Sequence, residues 1–393
     1  MFKHLSRTVA LLCGGLCAPV AMAEVNGGGT TLAQPLYQTS GVLTGGFAPY
    51  IGVGSGAGKI AFLNNDYSKF VGGITTKNVH WVASDSKLRP VELDTYAFAH
   101  GAAWGPLIQV PSAATSIAIP FNKAGAAGID LSVNQLCGVF SGRLTDWSQI
   151  AGSGRTGPIT VVYRAESSGT TELFTRFLNA KCAETGTFSV ATNFASSYSG
   201  GPPAGALSAV HSEGAMYAVN ATQGAITYMS PAYAASTLAG LDDATKVARI
   251  AGVSPAPANI SAAIATLSVP ATANRANPGN WVPVFTSIAM LNANPNDPSL
   301  FLYPTTGYPI LGFTNLIFSQ CYADATQSTQ VRNFFTRHYN AFPTVNNDAA
   351  ISANRLLPLP AAWKTAIRTT FLTASNTLSI GNPNVCNGIG RPL

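Results

Sequence analysis

The chain passes repeatedly from a short apolar run, through a turn rich in glycine and hydroxyls, into a stretch with helical spacing. That alternation constrains it to α/β construction, with strands feeding helices. Residues 47–53 (FAPYIGV) read as strand and run into the glycine-rich turn 54–58. Val161, Val162 and Tyr163 form another apolar strand, after which Leu173, Phe174, Phe177 and Leu178 recur at helical spacing. The chain therefore turns from strand to helix between 164 and 170. Ile310 to Phe313 and Leu316 to Phe318 read as buried strand, and Val331, Phe334 and Phe335 as the stripe of a helix. Enrichment in Pro, Ala and Asn across 254–300 marks surface loops or an insertion. Only 10% of the 393 residues are charged, while 5 Trp, 13 Tyr and 19 Phe supply a core, which excludes disorder. At about 150 residues per domain, the length suggests two.

The amino terminus reads as an address. Lys3 and Arg7 form a basic start, an apolar run extends from Val9 to Val20, and Ala21-Met22-Ala23 is a small-x-small cleavage site. Residues 1–23 are thus expected to be a signal peptide, and the exported chain to begin at Glu24. Losing two basic residues takes the net charge from +6 to +4. No later stretch gives the roughly 18 apolar residues of a membrane helix, so the chain is not expected to be membrane-embedded. With no basic run interleaved with aromatics, nucleic acid is disfavoured as a partner.

Four cysteines remain after cleavage, and an even count in an exported chain reads as two disulfides with three possible pairings. Cys137–Cys182 and Cys321–Cys386 are preferred, because each bridge then stays inside one proposed domain. No pair has the close spacing of a zinc knuckle.

Three turns carry the chemistry: Asn26-Gly27-Gly28-Gly29-Thr30-Thr31-Leu32, Gly52-Val53-Gly54-Ser55-Gly56-Ala57-Gly58, and Arg164-Ala165-Glu166-Ser167-Ser168-Gly169-Thr170-Thr171-Glu172. Each sits where a strand meets a helix. A helix start exposes unpaired N–H donors and the positive end of the dipole, and glycine lets an anion approach the backbone. One such turn is usually just a capped helix. Three in one chain, one with an arginine, point to an oxyanion site. The stretch from Gly52 to Lys59 is not a nucleotide loop, since Ile60 stands where a magnesium-binding hydroxyl is required. Asp85, in Ala83-Ser84-Asp85-Ser86, would repel a fully ionised ligand and accept from one that carries a proton, as phosphate does near neutral pH and sulfate does not.

These residues carry a resemblance. The start EVNGGGTTLAQPLYQ is similar to the opening that names the DING proteins. YIGVGSGAGK, ASDSKL, FSGRLTDWSQI, RAESSGTTELF and QGAITY are similar, in the same order, to motifs of high-affinity phosphate-binding proteins of ABC transporters. The resemblance implies a two-lobed class II periplasmic binding protein fold of the α/β class, with two crossover strands near 116–120 and 298–306. Lobe 1 would comprise 24–117 and 300–393, and lobe 2 would comprise 118–299. It further implies that inorganic phosphate is bound by Thr31, Leu32, Ser55, Asp85, Arg164, Ser168, Gly169 and Thr170, with Glu166 holding Arg164 where many relatives have Asp. The expected function is capture of phosphate for uptake through an ABC permease or for scavenging, by a monomer in the periplasm or outside the cell, without cofactor or metal. The alternative is a secreted DING-type alkaline phosphatase using the same anion site. No metal-ligand cluster or nucleophile elbow is visible. Of the scattered histidines, His211-Ser212-Glu213 comes nearest to a catalytic pairing, although a semi-buried structural histidine is the commoner meaning of such a segment.

Overall fold

Strand Gly27–Gly29 owes its place to having no side chains. It lies between Ile51–Gly52 and Trp81–Ser84, parallel to both. A Cβ on Gly27 would stand 2.2 Å from the Trp81 indole nitrogen, and one on Gly28 2.1 Å from the Ile51 carbonyl oxygen. The computed structural model, which describes residues 24–392, completes this sheet with Leu311–Ser319 and Leu107–Ser116. Those last two strands pair antiparallel along their full length and are buried throughout, with Phe318 stacked on Trp81 at 5.6 Å. The expected signal peptide lies outside the described residues.

A second sheet runs in the order Asp130–Leu131, Val247–Ile250, Ile119–Asn122, Ala225–Thr227, Thr160–Arg164, Leu207–Ala209. Thr160–Arg164 is parallel to both its neighbours. The chain crosses between the sheets at Ile117 and Ala118, whose amides donate to Ile310 and Met229 carbonyls respectively. On the return side, Pro255 O accepts from Ser116 Oγ at 2.6 Å, and Asn259 O accepts from the Tyr308 amide. These contacts hold the two passages against one another.

The stretch 254–300 is more than surface loop. Trp281 is fully buried, 5.1 Å from the Phe371 ring, and Trp363 Nε1 donates to Leu267 O. It thus covers helix Ala361–Phe371, while strand Val284–Thr286 touches helix Gly169–Lys181 from the second sheet. Both disulfides form in the preferred pairing, Cys137–Cys182 and Cys321–Cys386. Among the described residues no helix is long and apolar enough to cross a membrane.

Candidate anion-binding site

Residues that could hold an anion follow the carboxyl ends of parallel strands, where open α/β sheets place their ligands. Thr30 and Thr31 follow Gly27–Gly29, Ser55 follows Ile51–Gly52, Asp85 follows Trp81–Ser84, and Arg164 ends Thr160–Arg164. The first three strands are adjacent in one sheet and the last belongs to the other. The two sheets therefore present these ends to a shared cleft.

The structure brings the expected residues together in it. Arg164 Nη2 donates to Thr31 Oγ1 at 3.0 Å, joining the two sheets. The Asp85 amide donates to Ser55 Oγ at 3.1 Å. Gly169 opens helix Gly169–Lys181 directly against this pair: a Cβ there would lie 2.5 Å from Ser55 Oγ and 2.7 Å from Asp85 Cβ. Ser168 caps that helix, its Oγ accepting from the Thr171 amide, so its hydroxyl hydrogen remains available. Thr170 is buried in the first turn. Leu32 is also buried, but its amide donates to Thr30 Oγ1 at 3.0 Å. The first helix, Gln34–Gln38, begins two residues beyond it. A backbone bond from Gly56 N to Ser167 O and a side-chain bond from Ser230 Oγ to Leu32 O tie the remaining rims together.

Two atoms define what this cage lacks. Asp85 Oδ2 accepts from Thr30 Oγ1 at 2.5 Å, yet Asp85 Oδ1 is buried with no partner. Arg164 Nε is likewise buried and unpartnered, while its Nη2 pairs with Glu166 Oε1. A buried acceptor and a buried donor left unmade each cost on the order of 1–3 kcal/mol. Burial pushes the Asp85 carboxyl up to about 6, against the opposing pull of the Thr30 and Thr314 hydroxyls and of the Arg164 charge. The cage thus offers one charged donor, paired with Glu166, and many neutral ones around Asp85.

Glu166 reaches two donors: Arg164 through Oε1 and the His211 amide through Oε2, the latter at 3.2 Å. Two residues in the cage escaped sequence reasoning. Thr30 stands next to Thr31, and composition alone does not tell which hydroxyl faces the acid. Ser212 was visible only as the middle of the His-Ser-Glu segment, yet its hydroxyl lies 3.0 Å from Thr31 Oγ1.

Elsewhere, Ser112, His338 and Asn347 align like a nucleophile, base and orienting amide, but the proton lies the wrong way round. Asn347 Oδ1 accepts from Arg337 Nε, so its Nδ2 is the group that donates to His338 Nδ1 at 3.0 Å. The ring hydrogen is then on Nε2, pointing at Ser112 Oγ, which also accepts from the Tyr37 hydroxyl. All three residues are buried, and burial holds His338 down at about 4. A groove of about 940 Å3 lies beyond Lys87, against Arg176 and Pro278, and none of the cage residues line it.

Two sheets joined by two passages, with a donor-lined cage at their strand ends, define a two-lobed binding protein of the periplasmic type. The family described as PBP superfamily domain matches residues 30–334. The chain is 66% identical, over all of both chains, to a Pseudomonas aeruginosa protein named alkaline phosphatase L. It is 63% identical to a protein named phosphate-binding protein from an unknown prokaryotic organism, over 94% of this chain and all of that one. Among solved structures it is similar to a high-affinity periplasmic phosphate-binding protein (PfluDING) bound with phosphate, at 67% identity and a TM-score of 0.90, covering 94% of this chain and all of that chain. The chain belongs to the PBP superfamily and, within it, to the DING phosphate-binding proteins.

Proposed function

We propose that this exported protein captures inorganic phosphate in the cage between its lobes, through Thr31, Leu32, Ser55, Asp85, Arg164, Ser168, Gly169 and Thr170. The observation that carries the reading is the buried carboxylate oxygen Asp85 Oδ1, left without a hydrogen-bond partner, together with an unpaired nitrogen of Arg164. An oxyanion that keeps one proton answers both: it donates that proton to Asp85 and accepts everywhere else. Sulfate has no proton to give, so Asp85 would stay unpaired against it. That costs roughly 3 kcal/mol, about a hundredfold in affinity. The relatives described as phosphate-binding, one of them solved with phosphate, support the same ligand. Uptake through an ABC permease, or scavenging in the periplasm or outside the cell, is the role such a cage would serve.

The name of the 66% identical relative favours a second reading, phosphomonoester hydrolysis at the same cage. There Arg164 and the helix starts would stabilise the transferring phosphoryl group. One experiment separates the two: calorimetry with phosphate on stripped protein, alongside a chromogenic phosphomonoester at alkaline pH. Tight binding without turnover is expected. Turnover that survives further purification and vanishes in both Asp85→Asn and Arg164→Ala would overturn capture as the sole activity.

A further inference from the structure

Helix His211–Ala221 supplies a fourth helix start to the cage. It is entered through a strained residue, since His211 has φ of 63° without being glycine. Such a conformation persists only where neighbours hold it, and here the His211 amide is held by Glu166, the same carboxylate that holds Arg164. The turn delivers Ser212, which is 1% exposed, onto Arg164 of its own lobe and onto Thr31 of the opposite one.

A count of hydrogens and lone pairs then assigns Ser212 a task. Thr31 Oγ1 accepts from Arg164 Nη2 at 3.0 Å and from the Ser212 amide at 3.3 Å, which fills both its lone pairs. Its own hydrogen must therefore go to Ser212 Oγ, 3.0 Å away. Ser212 Oγ also accepts from Arg164 Nη1 at 3.2 Å, so its lone pairs are filled as well. One hydrogen remains, that of the Ser212 hydroxyl, and neither member of the pair has a lone pair to receive it. The adjacent Arg164 Nε is a second buried donor without a partner.

We propose that Ser212 is a further phosphate-binding residue, donating its hydroxyl hydrogen to an oxygen of the ion while its oxygen accepts from the Thr31 hydroxyl and from Arg164 Nη1, fixing the guanidinium for its own contact. The assignment rests on phosphate capture and sharpens it, because the Thr31–Ser212 pair becomes a pure donor with no lone pair to offer a protonated oxygen. The ion's proton is thereby directed to Asp85.

The test compares stripped wild type with Ser212→Ala, Ser212→Thr, Thr31→Val and the Ser212→Ala/Thr31→Val double variant, by calorimetry and stopped-flow with inorganic phosphate. Ser212→Ala should weaken binding roughly 10- to 100-fold, mainly through faster dissociation, while Ser212→Thr stays within about threefold of wild type. The double variant should bind about as well as the weaker single one, since both changes dismantle one hydroxyl pair. Melting curves without phosphate check that each variant is folded. Binding by Ser212→Ala within twofold of wild type, or losses that multiply in the double variant, would overturn the assignment. If stripped wild type takes up no phosphate, the proposal of phosphate capture itself has failed.

Discussion

Asp85 is the residue on which pH acts. Its carboxyl is pushed up to about 6 by burial, from an unfolded value near 3.8, so between these values the folded chain holds more proton than the unfolded one. Stability from this group is present below about pH 4 and is lost as pH rises through about 6, up to about 3 kcal/mol in the phosphate-free protein. Asp85→Asn removes the titration. Urea unfolding of the stripped variant should show greater stability than wild type at pH 7.5, with the difference closing toward pH 4. The same variant should lose discrimination against sulfate more than it loses phosphate affinity. Competition titrations with the two anions check this, and an unchanged ratio would exclude the acid as proton acceptor. Asp85, Ser55 and Arg164 were legible in the sequence because glycine, hydroxyl and charge cluster in short motifs there. Thr30 and Ser212 were not: their roles depend on which face of a turn meets the other lobe.

At the scale of elements, the helix starts and their convergence on one anion site were legible, and the tightness of their approach was not. Gly169 shows the difference. Read alone it is an ordinary first-turn residue, and alanine there should favour the helix by up to about 1 kcal/mol. In the closed cleft, a methyl would press on Ser55 Oγ and on the Asp85 backbone carbon at 3.0 Å. Gly169→Ala should therefore leave the phosphate-free melting temperature level or raised, yet weaken phosphate binding by roughly a hundredfold or more, as titration calorimetry would register. Equal affinity would mean that this helix start does not close on the first sheet. The stretch 254–300 marks the opposite failure of sequence reading. Its Pro, Ala and Asn content resembles a loop, but Ile260, Ile264 and Trp281 are buried, each in a segment too short to set up a period.

For the whole molecule, the question is whether stability and capture reside in the same contacts. The two disulfides bridge separations of 45 and 65 residues and lie on either side of the cleft. Cys137–Cys182 pins helix Val133–Ser141 to the carboxyl end of the helix that Gly169 opens. Cys321–Cys386 pins the carboxyl-terminal segment beside the first sheet, where Arg391 lies over the Phe62 ring at 3.8 Å. Closing loops of those lengths removes about 4 kcal/mol of unfolded-chain entropy per bridge in the simplest account. The cage itself is held by hydroxyls, amides, the carboxylates of Asp85 and Glu166 and one guanidinium, and its hydrogen bonds do not run through either disulfide. Reduction should therefore lower the melting temperature by several degrees for each bridge opened, while phosphate affinity at 25 °C stays within about threefold of the oxidised protein. Melting temperature and calorimetric affinity measured on the same reduced sample decide the point. A parallel loss of both would show that the lobes need their covalent staples to hold the strand ends at the spacing the ion requires.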